Sequence, residues 1–198
     1  MNNLNNFLDD AISLAVETYK GHRQEGKPFI LHLLRVMLSV DTDELRVVAL
    51  LHTLLDMGKH TNEVQREMIA SGDPFFSRGF IDDRIIRRKF IEMALPFSIV
   101  EAIEYCSGRG SEETTSDSID FITKNYMASV VKLAAVDDVF NNISADMKDS
   151  YTESYHELRG RIVKRLPQPQ PIDYTPITKE SYAKLLRDLK IDGKIAWP

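Results

Sequence analysis

The stretch ELRVVALLHTLL (44–55) is apolar on nearly every side when it is drawn as a helix. A helix that is hydrophobic all round has to be buried among other elements, so this one should lie at the centre of the molecule. Asp41 or Thr42 can cap its start, and Gly58 should end it. The histidine in this stretch, His52, is therefore expected in the core.

Helical periodicity continues on both sides of this central helix. Pro28 suits the first turn of a helix that runs to about Leu38. Segments 119–143 and 149–166 have the pattern of further long helices, and no segment alternates polar and apolar residues for long enough to predict a strand. The chain is therefore predicted to be all-α, a bundle of about eight to ten helices.

A proline-rich run, PQPQP (167–171), is the best candidate for a boundary in the chain. Repeated prolines favour an extended polyproline linker. The predicted units are a helical domain over 1–166 and a linker with a C-terminal helix over 167–198. Thr178 should cap this amphipathic helix, and its apolar face needs cover either from the core or from a partner.

Charge and composition exclude several functional classes. The formal net charge of −5 over 198 residues argues against broad affinity for nucleic acid, which needs a basic face. No apolar run reaches the roughly 18 residues of a membrane helix. The N-terminal run MNNLNNFLDD lacks the basic and apolar regions of a signal peptide, and Cys106 has no second cysteine to pair with. These features favour a cytoplasmic protein.

A basic run lies in the middle of the chain, at Arg84, Arg87, Arg88 and Lys89. On a helix we expect it to form a solvated face, as charge runs usually do. The alternative is that it lines an entrance for anionic phosphate.

Two histidines lie in neighbouring apolar helices, His32 in GKPFILHLLRVM (26–37) and His52 in the central helix. Each alone is most simply a hydrogen-bonded core histidine. Together they raise the prospect of a shared metal or phosphate site, because a buried imidazole needs a partner. A third helix offers carboxylates at Asp137 and Asp138, each with an asparagine four residues on; the alternative there is a solvated acidic turn.

The stretch RQEGKPFILH (23–32) keeps the arginine, glycine, proline, aromatic and histidine of a known motif at their mutual spacing. From Ala11 to Ser144 the chain resembles the HD-type hydrolase domain of the RelA/SpoT family and its small stand-alone relatives. That resemblance implies an all-α HD fold and removal of the 3′-pyrophosphate from (p)ppGpp with a manganese ion. It also implies that Arg23 stacks on a base and that His32 is a metal ligand.

The second family motif, L-L-H-D-x-x-E-D-T, is altered in LLHTLLDMG (50–58). His52 is kept as a metal ligand, but Thr53 replaces the ligand aspartate. Asp56 replaces the catalytic glutamate and is one methylene shorter, and Met57 replaces the following catalytic aspartate. Since Mn²⁺ prefers anionic oxygen, the resemblance implies a weakened metal centre.

The third motif, V-K-L-A-D-x-x-x-N, is altered at two positions. In VKLAA (131–135), Ala135 stands where the motif has aspartate, and Val139 stands where it has asparagine. Asp137 and Asn141 restore the pair if two residues are inserted. A slip of two residues turns a helix by about 200°, so the insertion needs a bulge or a break before Asp137.

With that insertion, the resemblance implies that Asp137, or its neighbour Asp138, completes the metal site. It also implies that Asn141 and Ser144 contact the nucleotide.

The leading hypothesis is a degenerate HD-domain protein that binds a guanine nucleotide, a related phosphate ester or a protein partner, with little or no hydrolysis. A protein partner would dock on the C-terminal helix or on the loop that carries Phe75, Phe76 and Phe80. One alternative is an active metal-dependent phosphohydrolase, in which Asp56 activates water and the ion is held by His32, His52 and Asp137 or Asp138. The other alternative is a structural interaction module.

Overall fold

The structure, a computed structural model, describes residues 4–24, 26–55, 83–107 and 115–190. These residues form nine helices, so the predicted all-α class is confirmed for them. The helices are α1 (Leu4–Thr18), α2 (Ile30–Leu38), α3 (Asp43–Leu51), α4 (Asp83–Glu92), α5 (Phe97–Cys106), α6 (Thr115–Ile122), α7 (Tyr126–Asn142), α8 (Ala145–Lys164) and α9 (Lys179–Asp188). A two-residue antiparallel ladder, β1 (Arg23–Gln24) with β2 (Lys27–Pro28), connects α1 to α2. Within the described ranges, no helix is long and apolar enough to cross a membrane.

Helix α3 is the centre of the molecule, as its apolar sequence predicts. Its residues from Val47 to Leu51 are fully buried, and it packs against α1, α2, α5 and α7. The Thr42 hydroxyl caps it by accepting from the backbone N–H of Leu45 at 3.3 Å. The helix ends at Leu51, earlier than Gly58, and the chain continues in turns whose two leucines, Leu54 and Leu55, are buried.

Two helix boundaries differ from the sequence prediction. Pro28 lies in β2 rather than in a helix, because Gly26 adopts a positive φ of 75° and turns the chain back in a tight hairpin. The predicted long helix over 119–143 is divided into α6 and α7. Asn125 is extended there (φ −119°, ψ 129°), and its side chain caps α7 by accepting from the N–H of Ala128 at 3.1 Å.

The C-terminal segment packs on the same core as the rest of the chain. Backbone hydrogen bonds of 2.8 Å join Ile177 to Leu95 and Phe97 to Thr175. Thr178 caps α9 as predicted, and the apolar face of that helix is buried. The sequence left open whether the core or a partner buries this face, and the structure shows that the core does.

One member of the basic run is an exception to the predicted solvated face. Arg84, Arg88 and Lys89 are exposed, whereas Arg87 is fully buried. Its guanidinium donates to both carboxylate oxygens of Glu104, at 2.7 and 2.9 Å, and the Tyr182 hydroxyl donates to the same carboxylate at 2.6 Å. Burial is tolerated because the charge is paired in a bidentate geometry.

Candidate functional site

A cavity of about 350 Å³ lies where α2 and the end of α3 meet α7 and α8. Its inner surface carries His32, His52 and Thr53, and Lys132 lies on the wall that α7 provides. Aromatic rings form the opposite side, where Phe140 on α7 faces α8. The volume lies in the range of small-molecule sites in proteins.

His32 is held in one orientation by Asp138. Its Nδ1–H donates to the carboxylate at 2.7 Å. Arg35 donates to the same carboxylate through Nε at 2.6 Å and Nη2 at 2.9 Å, and Asn142 adds a bond at 3.0 Å. With Nδ1 occupied as a donor, Nε2 of His32 is left as the acceptor nitrogen.

The charge states of this pair follow from their surroundings. Burial lowers the pKa of His32 more than the hydrogen bond to Asp138 raises it, so the imidazole is neutral at pH 7. Burial alone would raise the pKa of Asp138, but the hydrogen bonds from Arg35 and His32 bring it below its usual range. The contact is therefore a neutral imidazole donating to a carboxylate.

His52 is held in the same tautomer by the backbone. At the C-terminal cap of α3, its Nδ1–H donates to the carbonyl of Ala49 at 2.7 Å. Burial lowers the pKa of His52 to about 3, so this imidazole is neutral as well. The rings of His32 and His52 have centroids 5.8 Å apart. The predicted pair of histidines is thus brought together at one cavity.

Thr53, which stands where the family motif has a ligand aspartate, is engaged by another side chain. Its hydroxyl is 2.5 Å from the hydroxyl of Tyr19 on α1. A neutral hydroxyl in a short hydrogen bond contributes no negative charge to the cavity.

Lys132 brings a positive charge to the cavity. It makes no ion pair with any residue that the structure describes, and its ammonium adds to the lowering of the pKa of both His32 and His52. No aspartate or glutamate is found among the described residues that line the cavity. Lys132 is therefore the only charged side chain among the described residues of the lining.

Helix α7 runs from Tyr126 to Asn142 without the bulge or break that the two-residue insertion needs. Ala135 and Val139, the residues that align without an insertion, are the ones that line the cavity. Asp138 contacts His32 through Nδ1, away from the nitrogen that a metal would use, while Asp137 faces α8.

Asp137 accepts from the Tyr155 hydroxyl at 2.9 Å and from Nε of Arg159 at 3.1 Å. Asp137 and Asp138 therefore have different hydrogen-bond partners, and neither lines the cavity beside both imidazoles.

These donors do not fit a manganese ion on their own. Among the described residues, no group of three or more His, Cys, Asp or Glu side chains is placed to hold a metal. His32 and His52 supply two imidazole nitrogens, whereas Mn²⁺ prefers several oxygen ligands. The predicted catalytic residue Asp56 lies outside the described residues.

The predicted nucleotide contacts are not gathered at this cavity. Arg23 is exposed in the hairpin and donates to the carbonyl of Gly26 at 2.7 Å. Asn141 is exposed and lines a different groove, beside Arg35. Ser144 is an exposed residue at the start of α8. The aromatic loop that carries Phe75 lies outside the described residues.

The aromatic wall was not predicted from the sequence. Phe140 and Tyr155 stack with centroids 3.9 Å apart and planes 6° from parallel, and Tyr151 lies one turn before Tyr155 on α8. Because Tyr151 and Tyr155 are four residues apart, the sequence does indicate that they share one face of a helix. Which neighbour that face meets depends on the packing of α8, which the spacing leaves open.

A scan against models of known protein families finds no match to this chain, and a search of curated proteins finds none either.

Proposed function

We propose that this chain is a binding protein built on a degenerate HD-type centre. It binds a phosphate-bearing nucleotide in the histidine cavity and hydrolyses it slowly or not at all. The observation that carries the proposal is Lys132, a cation without an ion pair among the described residues, beside a cavity whose described lining has no carboxylate. A partly desolvated ammonium is stabilised by an anionic ligand.

The rest of the lining suits the other parts of a nucleotide. The stacked pair of Phe140 and Tyr155, with Tyr151 beside it, offers flat surface to a base. Stacking of a base on an aromatic side chain contributes about 1–3 kcal/mol. The two neutral imidazoles can accept hydrogen bonds from ligand hydroxyls through Nε2.

Slow hydrolysis is expected because neutral residues stand where the family motifs have the metal-ligand aspartates. Thr53 is a neutral hydroxyl bonded to Tyr19, and Ala135 has no ligand atom. Loss of one group that transfers a proton typically costs about 10²–10⁴ in rate. We therefore expect the protein to bind the nucleotide and to hydrolyse it slowly or not at all.

The test is calorimetric titration of ppGpp, GDP and GMP into the protein, in EDTA and then in MnCl₂, with chromatography for released phosphate or pyrophosphate. We expect binding in EDTA and negligible release. Lys132→Met should weaken binding about tenfold or more, because it removes a charged partner of the phosphate. Lys184→Met, which removes an exposed charge on α9, is the matched control and should bind as the parent does.

Two results would contradict the proposal. Brisk release that requires Mn²⁺ would favour the active phosphohydrolase, in which Asp56 supplies charge to the site. Absence of binding by all three nucleotides would favour a structural interaction module.

One observation keeps the active phosphohydrolase as the second candidate. Both imidazoles donate Nδ1–H, His32 to a carboxylate and His52 to a carbonyl, and both keep Nε2 as the acceptor nitrogen. Histidines that bind metals usually have this arrangement. Elemental analysis of the purified protein distinguishes the candidates, since about one transition metal per chain is expected only of the hydrolase.

A further inference from the structure

A second cavity, of about 240 Å³, lies between α5, the start of α7 and the end of the proline run. It shares no lining residue with the histidine cavity. Its volume far exceeds the roughly 15 Å³ that one water needs, so it has room for a small molecule.

Glu101 on α5 brings a carboxylate to this cavity, and no described residue forms an ion pair with it. It is half-buried and accepts only a long hydrogen bond, 3.4 Å from Nδ2 of Asn125. Burial, and after it the charge of Asp173, raise the pKa of Glu101.

Lys124 also lines the cavity but does not neutralise Glu101. Its Nζ lies over the ring of Phe121, 5.7 Å from the centroid. No ion pair joins this ammonium to the carboxylate of Glu101.

Two tyrosines also line the cavity. Tyr105 lies one turn beyond Glu101 on α5, and Tyr126 begins α7. Aromatic faces attract cations through the ring quadrupole, and a carboxylate beside them adds a charge that pairs with the cation.

We propose that this cavity binds a small alkylammonium ion, whose charge pairs with Glu101 and whose methylene groups lie between Tyr105 and Tyr126. The site is independent of the nucleotide proposal, because the two cavities share no residue. Its occupant supplies the ion-pair partner that Glu101 lacks among the described residues.

The experiment is calorimetric titration of putrescine into the full chain, with butanediol as the uncharged analogue of the same length. We expect saturable binding of putrescine and none of butanediol. Glu101→Gln keeps the shape of the side chain and should weaken putrescine binding about 10- to 100-fold, the usual effect of losing a charged hydrogen-bond partner. Glu153→Gln removes an exposed charge on α8, which does not line the cavity, and should leave affinity unchanged.

Tyr126→Leu provides a second variant that keeps the carboxylate, and it should weaken binding by removal of one aromatic wall. The proposal is overturned if putrescine does not bind at millimolar concentration, if butanediol binds equally well, or if both Glu-to-Gln variants behave alike. Each of these results leaves nucleotide binding at the histidine cavity unaffected, so the two proposals fail separately.

Discussion

His52 shows how burial of one side chain makes the whole fold sensitive to acid. Burial lowers its pKa to about 3 in the folded protein, against an ordinary value of about 6.5 in the unfolded chain. The unfolded state therefore binds more protons between these values, and stability should fall as the pH falls. The slope due to His52 approaches about 1.4 kcal/mol per pH unit once the unfolded chain is protonated. Urea unfolding in EDTA, between about pH 7 and pH 5, measures it.

The matched control is His52→Asn, whose amide can still donate to the carbonyl of Ala49 but does not titrate. This variant should lose stability less steeply with acid, and the remaining slope belongs to groups such as His32, whose pKa is also lowered. Equal slopes for parent and variant would show that His52 is already protonated, or exposed, in the folded state.

Two adjacent aspartates on α7 allow a second comparison of single residues. Asp138 has a side chain that is 9% exposed and holds both His32 and Arg35, whereas Asp137 is 33% exposed. Asp138→Asn should cost about 1–3 kcal/mol of unfolding free energy, because it breaks buried bonds to charged and polar partners. Asp137→Asn should cost less than about 1 kcal/mol, as exposed pairs do. Denaturant titration of the two variants measures both costs, and a larger cost for Asp137→Asn would contradict this ranking.

Among the elements, α7 determines which chemistry the cavity can support. Because it is an unbroken helix, it presents Ala135 to the imidazoles. We expect Thr53→Asp with Ala135→Asp to restore two anionic ligands beside His32 and His52. Mn²⁺ should then raise the thermal midpoint of this double variant, which differential scanning fluorimetry detects, while the parent is unaffected.

The control for this design is Thr53→Asp with Ala134→Asp, which places the second carboxylate one residue earlier, on the side of α7 that lines a different groove. It should show no response to Mn²⁺. An equal response in both double variants would mean that the ion binds away from the histidine cavity.

The elements themselves were largely predictable from local chemistry. Threonine caps at 42 and 178 and the apolar surface of α3 indicated where helices begin and which one is buried. The break at Asn125 was missed because hydrophobic periodicity runs across it, although asparagine is a good N-cap.

The candidate site was less predictable than the elements. The positions of His32 and His52 in neighbouring apolar helices correctly predict that the two side chains lie close together. The sequence also predicts carboxylates beside them. The spacing alone does not show that Asp138 accepts a hydrogen bond from Nδ1 of His32, or that Asp137 accepts one from Arg159. Both contacts depend on the rotation of α7 about its own axis, which is set by its packing against α2 and α8. The place of Lys132 in the cavity follows from the same rotation.

At the scale of the whole molecule, the C-terminal segment holds the bundle together. Tyr182 on α9 reaches the buried pair of Arg87 and Glu104, which joins α4 to α5. Tyr174, which precedes α9, donates a hydrogen bond from its hydroxyl to Glu44 of the central helix α3 at 2.5 Å, although the residue is 49% exposed. A boundary at the proline run therefore separates stretches of sequence that share one core.

This arrangement predicts cooperative unfolding that depends on the segment after the proline run. The chain should unfold in one transition, and a truncated chain that ends at Leu166 should not fold, because it uncovers the apolar surface beneath α9 and leaves Glu104 with fewer partners. Tyr182→Phe should cost about 1–3 kcal/mol, since it removes a hydrogen bond to a buried charge, while Tyr174→Phe should cost less than about 1 kcal/mol. Circular dichroism of the truncated chain and urea titration of both phenylalanine variants test these expectations. A truncated chain with a sharp thermal transition of its own would instead establish 1–166 as an independent domain, with the C-terminal helix as an appendage.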